Sequence, residues 1–237
     1  MALPDRSVLL DLHNHSDRSF DAVNRLEDYE RAHRAGRFHV LAITDHNRID
    51  GAADLAARAT FPVVVGMEID TSDGELIGLF LTERVPPLRS ARETAERIRA
   101  QGGLVYLQHP FYPFLRRPLR AEARNALADA GLVDLVEGLN GGPFSTRFDR
   151  QAQLWARSRD LPLAAGSDAH EPWTIGSCVV AVPAGSLDPA SAVERVRDGV
   201  LLDRRRNSLA QLAVKARHEV LGQVTARARG TRKRRLP

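Results

Sequence analysis

The stretch Val8-Leu9-Leu10-Asp11-Leu12-His13-Asn14-His15-Ser16 decides how this chain is read. Its Val and Leu residues describe a short buried strand, and the strand stops in two histidines two positions apart. Residues i and i+2 of an extended chain face the same way, so His13 and His15 present two imidazoles to one point. That point is the carboxyl end of the strand, where parallel α/β proteins keep their chemistry.

Working outward, the same arrangement recurs. Residues 38–43 form a second apolar run ending in Thr44-Asp45-His46, and residues 61–67 a third ending in Glu68. Residues 104–107 end in Gln108-His109-Pro110, and residues 163–165 in Gly166-Ser167-Asp168-Ala169-His170. Further β segments are expected over 76–81, 133–136 and 176–182, with helices over 25–35, 49–59, 89–101, 121–130, 147–159 and 189–198. Strands alternating with helices at this spacing predict βα units and a mostly parallel sheet. About seven such units predict an α/β fold, a closed or nearly closed (β/α)7 barrel somewhat smaller than the common eight-fold one. In such a barrel the strand ends converge on one face.

Read singly, each polar residue has an ordinary explanation: a loop histidine, a surface glutamate, an aspartate capping a turn. Read together, five strand ends each carry a metal-ligand residue type. The single cysteine, Cys178, rules out an intrachain disulfide and any thiolate cluster, so an ion would be held by nitrogen and oxygen. Convergent His and carboxylate groups suit divalent Zn, Mn or Fe.

Five motifs also carry a family resemblance: Asp11-Leu12-His13-Asn14-His15-Ser16, Ile43-Thr44-Asp45-His46-Asn47, Gly66-Met67-Glu68, Gln108-His109-Pro110 and Gly166-Ser167-Asp168-Ala169-His170. In that order they resemble the PHP (polymerase and histidinol phosphatase) superfamily. The resemblance implies a distorted seven-stranded barrel and two or three divalent metal ions at the carboxyl ends of its strands. It assigns His13, His15, Glu68 and Asp168 to a first ion, Glu68 and His109 to a second, and Asp21, His46 and His170 to a third. Asp45 is expected to orient a ligand or relay a proton, with Asp168 the second catalytic candidate. Family members often give the second ion a further histidine, but this chain has none between His109 and His170. Glu137 or Asn140 is the expected substitute.

Two ions bridged by Glu68 would supply hydroxide near neutral pH and neutralise a phosphate in an in-line displacement. The expected activity is therefore that of a metal-dependent phosphoesterase acting on a small phosphomonoester or nucleotide-like substrate. Arg116 and Arg117 are candidates to bind the substrate phosphate. The 41 residues from Glu68 to His109 leave no room for an inserted domain. A carbamate or ester hydrolase on the same barrel is the alternative enzyme, and a non-catalytic nucleic-acid-binding protein the alternative of another class.

Of the 237 residues 43% are apolar, enough for one domain with a real core. The net charge of +4 hides an asymmetry. Residues 204–237 hold eleven Lys/Arg against the single acid Glu219, while the barrel expected over 1–203 holds 23 basic and 29 acidic residues. The basic segment is expected to form a helix and a tail that solubilise the protein or make weak, sequence-independent contact with nucleic acid. No apolar run reaches signal or membrane-span length, so a cytoplasmic protein is expected.

Overall fold

The computed structural model describes residues 7–113, 117–142 and 145–205. Arg116 and the basic segment from 206 onward lie outside the described residues. In chain order the elements are β1 (Ser7–Asp11), α1 (Leu26–Arg34), β2 (Val40–Ile43), α2 (Asp50–Arg58), β3 (Val63–Thr71), β4 (Gly74–Leu79), α3 (Ala91–Ala100) and β5 (Leu104–Leu107). Then follow α4 (Ala121–Asp129), β6 (Leu135–Asn140), α5 (Thr146–Arg157), β7 (Leu163–Gly166), β8 (Cys178–Pro183), α6 (Pro189–Arg197) and β9 (Val200–Asp203).

The nine strands form one sheet in the order β7-β6-β5-β4-β3-β2-β1-β8-β9. The strands β1-β2-β3 run parallel, as do β5-β6-β7. The sheet curls until β1 meets β7: Leu12 N donates to Ala165 O (3.1 Å), Asp168 N to His13 O (2.8 Å), and a parallel bridge joins Asn14 to Ala169. The result is the expected nearly closed seven-stranded barrel.

The expectation of uniform βα units fails in two places. Only Ser72 and Asp73 separate β3 from β4, and so short a connection joins strands antiparallel. β4 is therefore antiparallel to both neighbours. β8 and β9 form an antiparallel pair that continues the sheet from β1, and Cys178, Val180 and Val182 of β8 pack in the same core cluster as Leu10 and Tyr106. β9 escapes a sequence reading because its short apolar run passes directly into the basic segment.

Alternation along the strands sorts side chains between two layers. Leu10, Val40, Ala42, Val64, Ile77 and Tyr106 belong to one core cluster, whereas the intervening Leu41 and Ile43 pack with Tyr29, Phe38 and Leu55 beneath the helices. Two helices start on a side-chain cap: at α3 Ser90 Oγ accepts from Glu93 N at 3.1 Å, and at α6 Asp188 accepts from Ser191 N at 3.0 Å. Among the described residues no helix is long and apolar enough to cross a membrane.

Candidate metal centre

The carboxyl ends of the strands bring eight ligand-type side chains together. Past the end of β1, His13 and His15 are buried with their Nε2 atoms 3.2 Å apart. Both face the same two oxygens. Glu68 Oε2, from β3, lies 3.5 Å from His13 Nε2 and 3.3 Å from His15 Nε2. Asp168 Oδ1, just past β7, lies 3.5 and 3.4 Å from the same atoms. Ligands held tetrahedrally at about 2.1 Å from a zinc ion are separated from each other by roughly 3.4 Å. The two imidazole nitrogens have that spacing from each other and from both oxygens.

Two further groups share members with the first. His109, after β5, places Nε2 3.3 Å from Glu68 Oε1, the oxygen facing away from the first group. On the other side Asp21 Oδ2 lies 3.2 Å from His46 Nε2 and 3.4 Å from His170 Nε2. The rings of His46 and His170 both stack on His15, with centroids 4.8 and 4.4 Å away.

Local structure explains why these side chains converge. Gly166 has no alternative: a Cβ there would stand 2.2 Å from His13 Cβ and 2.5 Å from Glu137 Oε1. His109 (φ +30°) and Asp168 (φ +47°) hold left-handed backbone that non-glycine residues seldom adopt, as strained positions at functional sites often do. His109 is kept there by its own N–H, which donates to Glu137 Oε2 at 2.6 Å. Asp11 accepts from Ser167 N (2.8 Å), Ser167 Oγ (2.5 Å) and Gly176 N (3.0 Å), pinning the loop that carries Asp168. Burial pushes the Asp11 carboxyl up to about 6 against those hydrogen bonds. The carbonyl of His15 accepts from Asn24 Nδ2 (3.0 Å) and the Tyr29 hydroxyl (2.8 Å), which fixes the second histidine.

Glu137, within β6, sets the proton position of His13. Its Oε1 accepts from His13 Nδ1–H at 3.0 Å and from the Tyr106 hydroxyl at 3.2 Å. A carboxylate offers no proton of its own, so His13 carries its proton on Nδ1 and turns the Nε2 lone pair to the cluster. His170 does the same by donating Nδ1–H to the Asp168 carbonyl at 2.8 Å.

The electrostatics are those of interleaved imidazoles and carboxylates. Burial opposes charge on His13 and His15, yet the neighbouring carboxylates override it. Asp168 and Glu137 raise His13 well above the imidazole range; Asp168 and Glu68 push His15 up to about 10. Burial likewise resists ionisation of Glu68, but the His46 charge and hydrogen bonds from His109, His13 and His15 hold its carboxyl far below the usual range. Asp21 is held low by His170 and His46 in the same way. One buried acceptor beside Glu68, Gln108 Oε1, lacks a hydrogen-bond partner among the described residues, and His46 Nδ1 lies 3.3 Å from Glu68 Oε2. Donor spacing, fixed tautomers and this orphaned acceptor fit a divalent ion with nitrogen and oxygen ligands.

All eight residues expected as metal ligands therefore meet at one end of the barrel. Other expectations need revision. Glu137 has both oxygens engaged, since Oε2 also accepts from Asn140 Nδ2 at 2.9 Å. Asn140 Oδ1 accepts from Gly142 N at 2.7 Å, which orients its amide with the NH2 toward the carboxylates. In this arrangement both residues hold other groups: His13, Tyr106 and the His109 N–H for Glu137, and the Gly142 N–H for Asn140. Asp45 directs its carboxylate to Ser16, accepting from its N–H (2.7 Å) and hydroxyl (2.6 Å), so it braces the loop carrying His15. Arg117 donates to the Thr71 carbonyl (2.8 Å) and lies 3.7 Å from Asp70, on the β3–β4 hairpin.

Sequence reasoning missed Glu75, buried within ligand distance of His46 and Glu68, and Tyr106, buried at the barrel centre. Glu75 stands across from Asp70 in the β3–β4 register, and only that pairing brings it near.

Comparison with known proteins agrees with this arrangement. The PHP domain model matches residues 11–139, and the model described as PHP-associated matches residues 147–201. An uncharacterized protein of Methanocaldococcus jannaschii (MJ0417) is 37% identical over 145 residues, which cover 60% of this chain and 56% of that protein. The chain spans a little over half the length of the curated relatives it matches. A two-domain protein from Bacteroides vulgatus, containing a predicted PHP-like metal-dependent phosphoesterase, superposes with a TM-score of 0.67 at 18% identity, covering 86% of this chain and 68% of that one. Endonuclease Q, in complex with a 27-mer duplex bearing an abasic lesion at the active site, superposes with a TM-score of 0.62 at 16% identity, covering 84% and 60%. At such identities the structural likenesses speak for the fold. The PHP domain match runs over more than half of the chain and takes in the strand ends that carry His13, His15, His46, Glu68 and His109; on that ground the chain belongs to the PHP domain family.

Proposed function

We propose that the chain is a metal-dependent hydrolase of phosphate esters, acting on a small phosphomonoester or nucleotide-like substrate. The observation that carries this reading is the double use of Glu68. Its Oε2 faces His13 and His15, and its Oε1 faces His109, so one carboxylate joins two donor groups. Two or three divalent ions (Zn, Mn or Fe) would be held by His13, His15, Glu68 and Asp168, by Glu68 and His109, and by Asp21, His46 and His170. Such ions, when bound, activate water and neutralise the charge of a phosphate ester.

The chain's own residues do the positioning. Glu137 holds the ring of His13 and the backbone of His109; Asp45 and Asp11 hold the two loops that deliver His15 and Asp168. His13, His15 and Glu68 are buried and His109 and Asp168 nearly so, whereas Asp21, His170 and His46 are the most exposed of the eight, so a substrate reaches the cluster from the third group's side. β4, α3 and their loops fill the chain between Glu68 and His109, which leaves that face to small substrates.

The test is hydrolysis of p-nitrophenyl phosphate and bis-p-nitrophenyl phosphate with added Mn²⁺ or Zn²⁺, with a chelator and Asp168→Ala as controls. Turnover that requires metal and is lost in both controls supports the reading. Silence with phosphate esters alongside metal-dependent turnover of carbamates or carboxylic esters overturns it. A nucleic-acid phosphodiester is a second reading, favoured by the likeness to Endonuclease Q and its duplex substrate; preference for the diester would select it.

A further inference from the structure

Five large apolar side chains are well exposed among the described residues: Phe20, Val23, Leu88, Leu154 and Trp173. Scattered exposed apolar residues need no explanation, but two of these five, Phe20 and Val23, flank the cluster residue Asp21. Their loop is tied to the one carrying His170, since Val23 N donates to His170 O (3.0 Å) and Asn24 Nδ2 to Ala169 O (2.8 Å). Phe20, 65% exposed, stacks on the His46 ring with centroids 5.0 Å apart and planes at 27°. Phe20 thus sits on held backbone beside the partly exposed side of the cluster.

We propose that Phe20, with Val23, is a platform for the base of a nucleotide whose phosphate lies at the Asp21–His46–His170 group. The inference rests on the phosphoesterase reading and narrows its substrate class. An aromatic ring stacked on a ligand histidine presents an apolar surface next to where a phosphate would be held. Planar bases bind such rings by stacking, whatever polar atoms they carry at their edges. A sugar or polyol phosphate would find no use for these apolar side chains there.

The probes are adenosine 5′-monophosphate and ribose 5-phosphate, which differ only in the base, titrated calorimetrically into the Mn²⁺-loaded full chain. Adenosine monophosphate is expected to bind at least tenfold more tightly. The ratio should fall toward one in Phe20→Ala and return in Phe20→Tyr; Leu154→Ala, an exposed apolar residue on α5, should leave it unchanged. Equal affinity for the two probes, or a ratio insensitive to Phe20→Ala, overturns the proposal. So does a dimer in solution that becomes monomeric in Phe20→Ala, which would assign the patch to a second copy. Failure to turn over any phosphate ester would defeat the phosphoesterase reading, whereas the binding ratio tests the platform independently of turnover.

Discussion

Replacing Glu137 by Gln tests whether the chain, and not the ion alone, prepares His13 for its role. Glu137 is buried and accepts four hydrogen bonds: from His13 Nδ1 (3.0 Å), Tyr106 (3.2 Å), the His109 N–H (2.6 Å) and Asn140 Nδ2 (2.9 Å). A glutamine of nearly the same shape has one acceptor oxygen and one NH2. Turned one way, the NH2 faces His13 and Tyr106; His13 must then accept at Nδ1 and move its proton to Nε2, the atom meant for the ion. Turned the other way, the NH2 opposes the His109 N–H and the Asn140 NH2. Each hydrogen bond lost to a buried charge is worth about 1.5–3 kcal/mol, and loss of a partner that orients a ligand typically weakens metal binding about 10- to 100-fold. Glu137→Gln should therefore bind Zn²⁺ about 10- to 100-fold more weakly in a chelator-competition titration, while its circular dichroism stays that of the native fold. An affinity within about threefold of the parent protein, with the fold intact, would refute the role given to Glu137.

Other expectations can be checked with the same material. Gly166→Ala forces a methyl group against His13 and Glu137 and should cost about 1–3 kcal/mol in urea unfolding, together with loss of bound metal measured by mass spectrometry. Ser90→Ala removes the cap of α3 and should cost about 1 kcal/mol with no change in metal affinity, because α3 carries none of the donors. Metal binding should release protons: without an ion His15 keeps its proton up to about pH 10, so below that value an ion must displace it. Affinity should rise with pH between about 6 and 9, and calorimetry in buffers of different ionisation enthalpy should find at least one proton released at about pH 7.5; no release would show that the carboxylates do not hold His15 charged.

The strand ends are legible in the sequence because local chemistry writes them. An apolar run that closes on His13 and His15, or on Asp168 and His170, needs no partner to be recognised, since period-two alternation and an abrupt polar stop are properties of the run itself. For the same reason the barrel and seven of the donors can be read from one dimension, whereas Asp21, in a loop, is assigned only by the family resemblance. The antiparallel β4 is legible only in part: the Gly74 turn marks a reversal, but which strands β4 separates depends on pairing.

What the chain by itself determined was the set of donors and the order in which strands deliver them. Tertiary structure alone decided what those donors touch. Glu137 and His13 are 124 residues apart, and Ser167 and Asp11 are 156 apart. A glutamate at a strand end, such as Glu137, has the same sequence signal whether it meets an ion or an imidazole. The same holds for Glu75, brought beside His46 by the β3–β4 register, and for Phe20, stacked on the ring of His46. Hydrogen bonds and metal coordination act over a few ångströms, so they are set by which strand ends the barrel closes upon one another, a distance that no local pattern encodes.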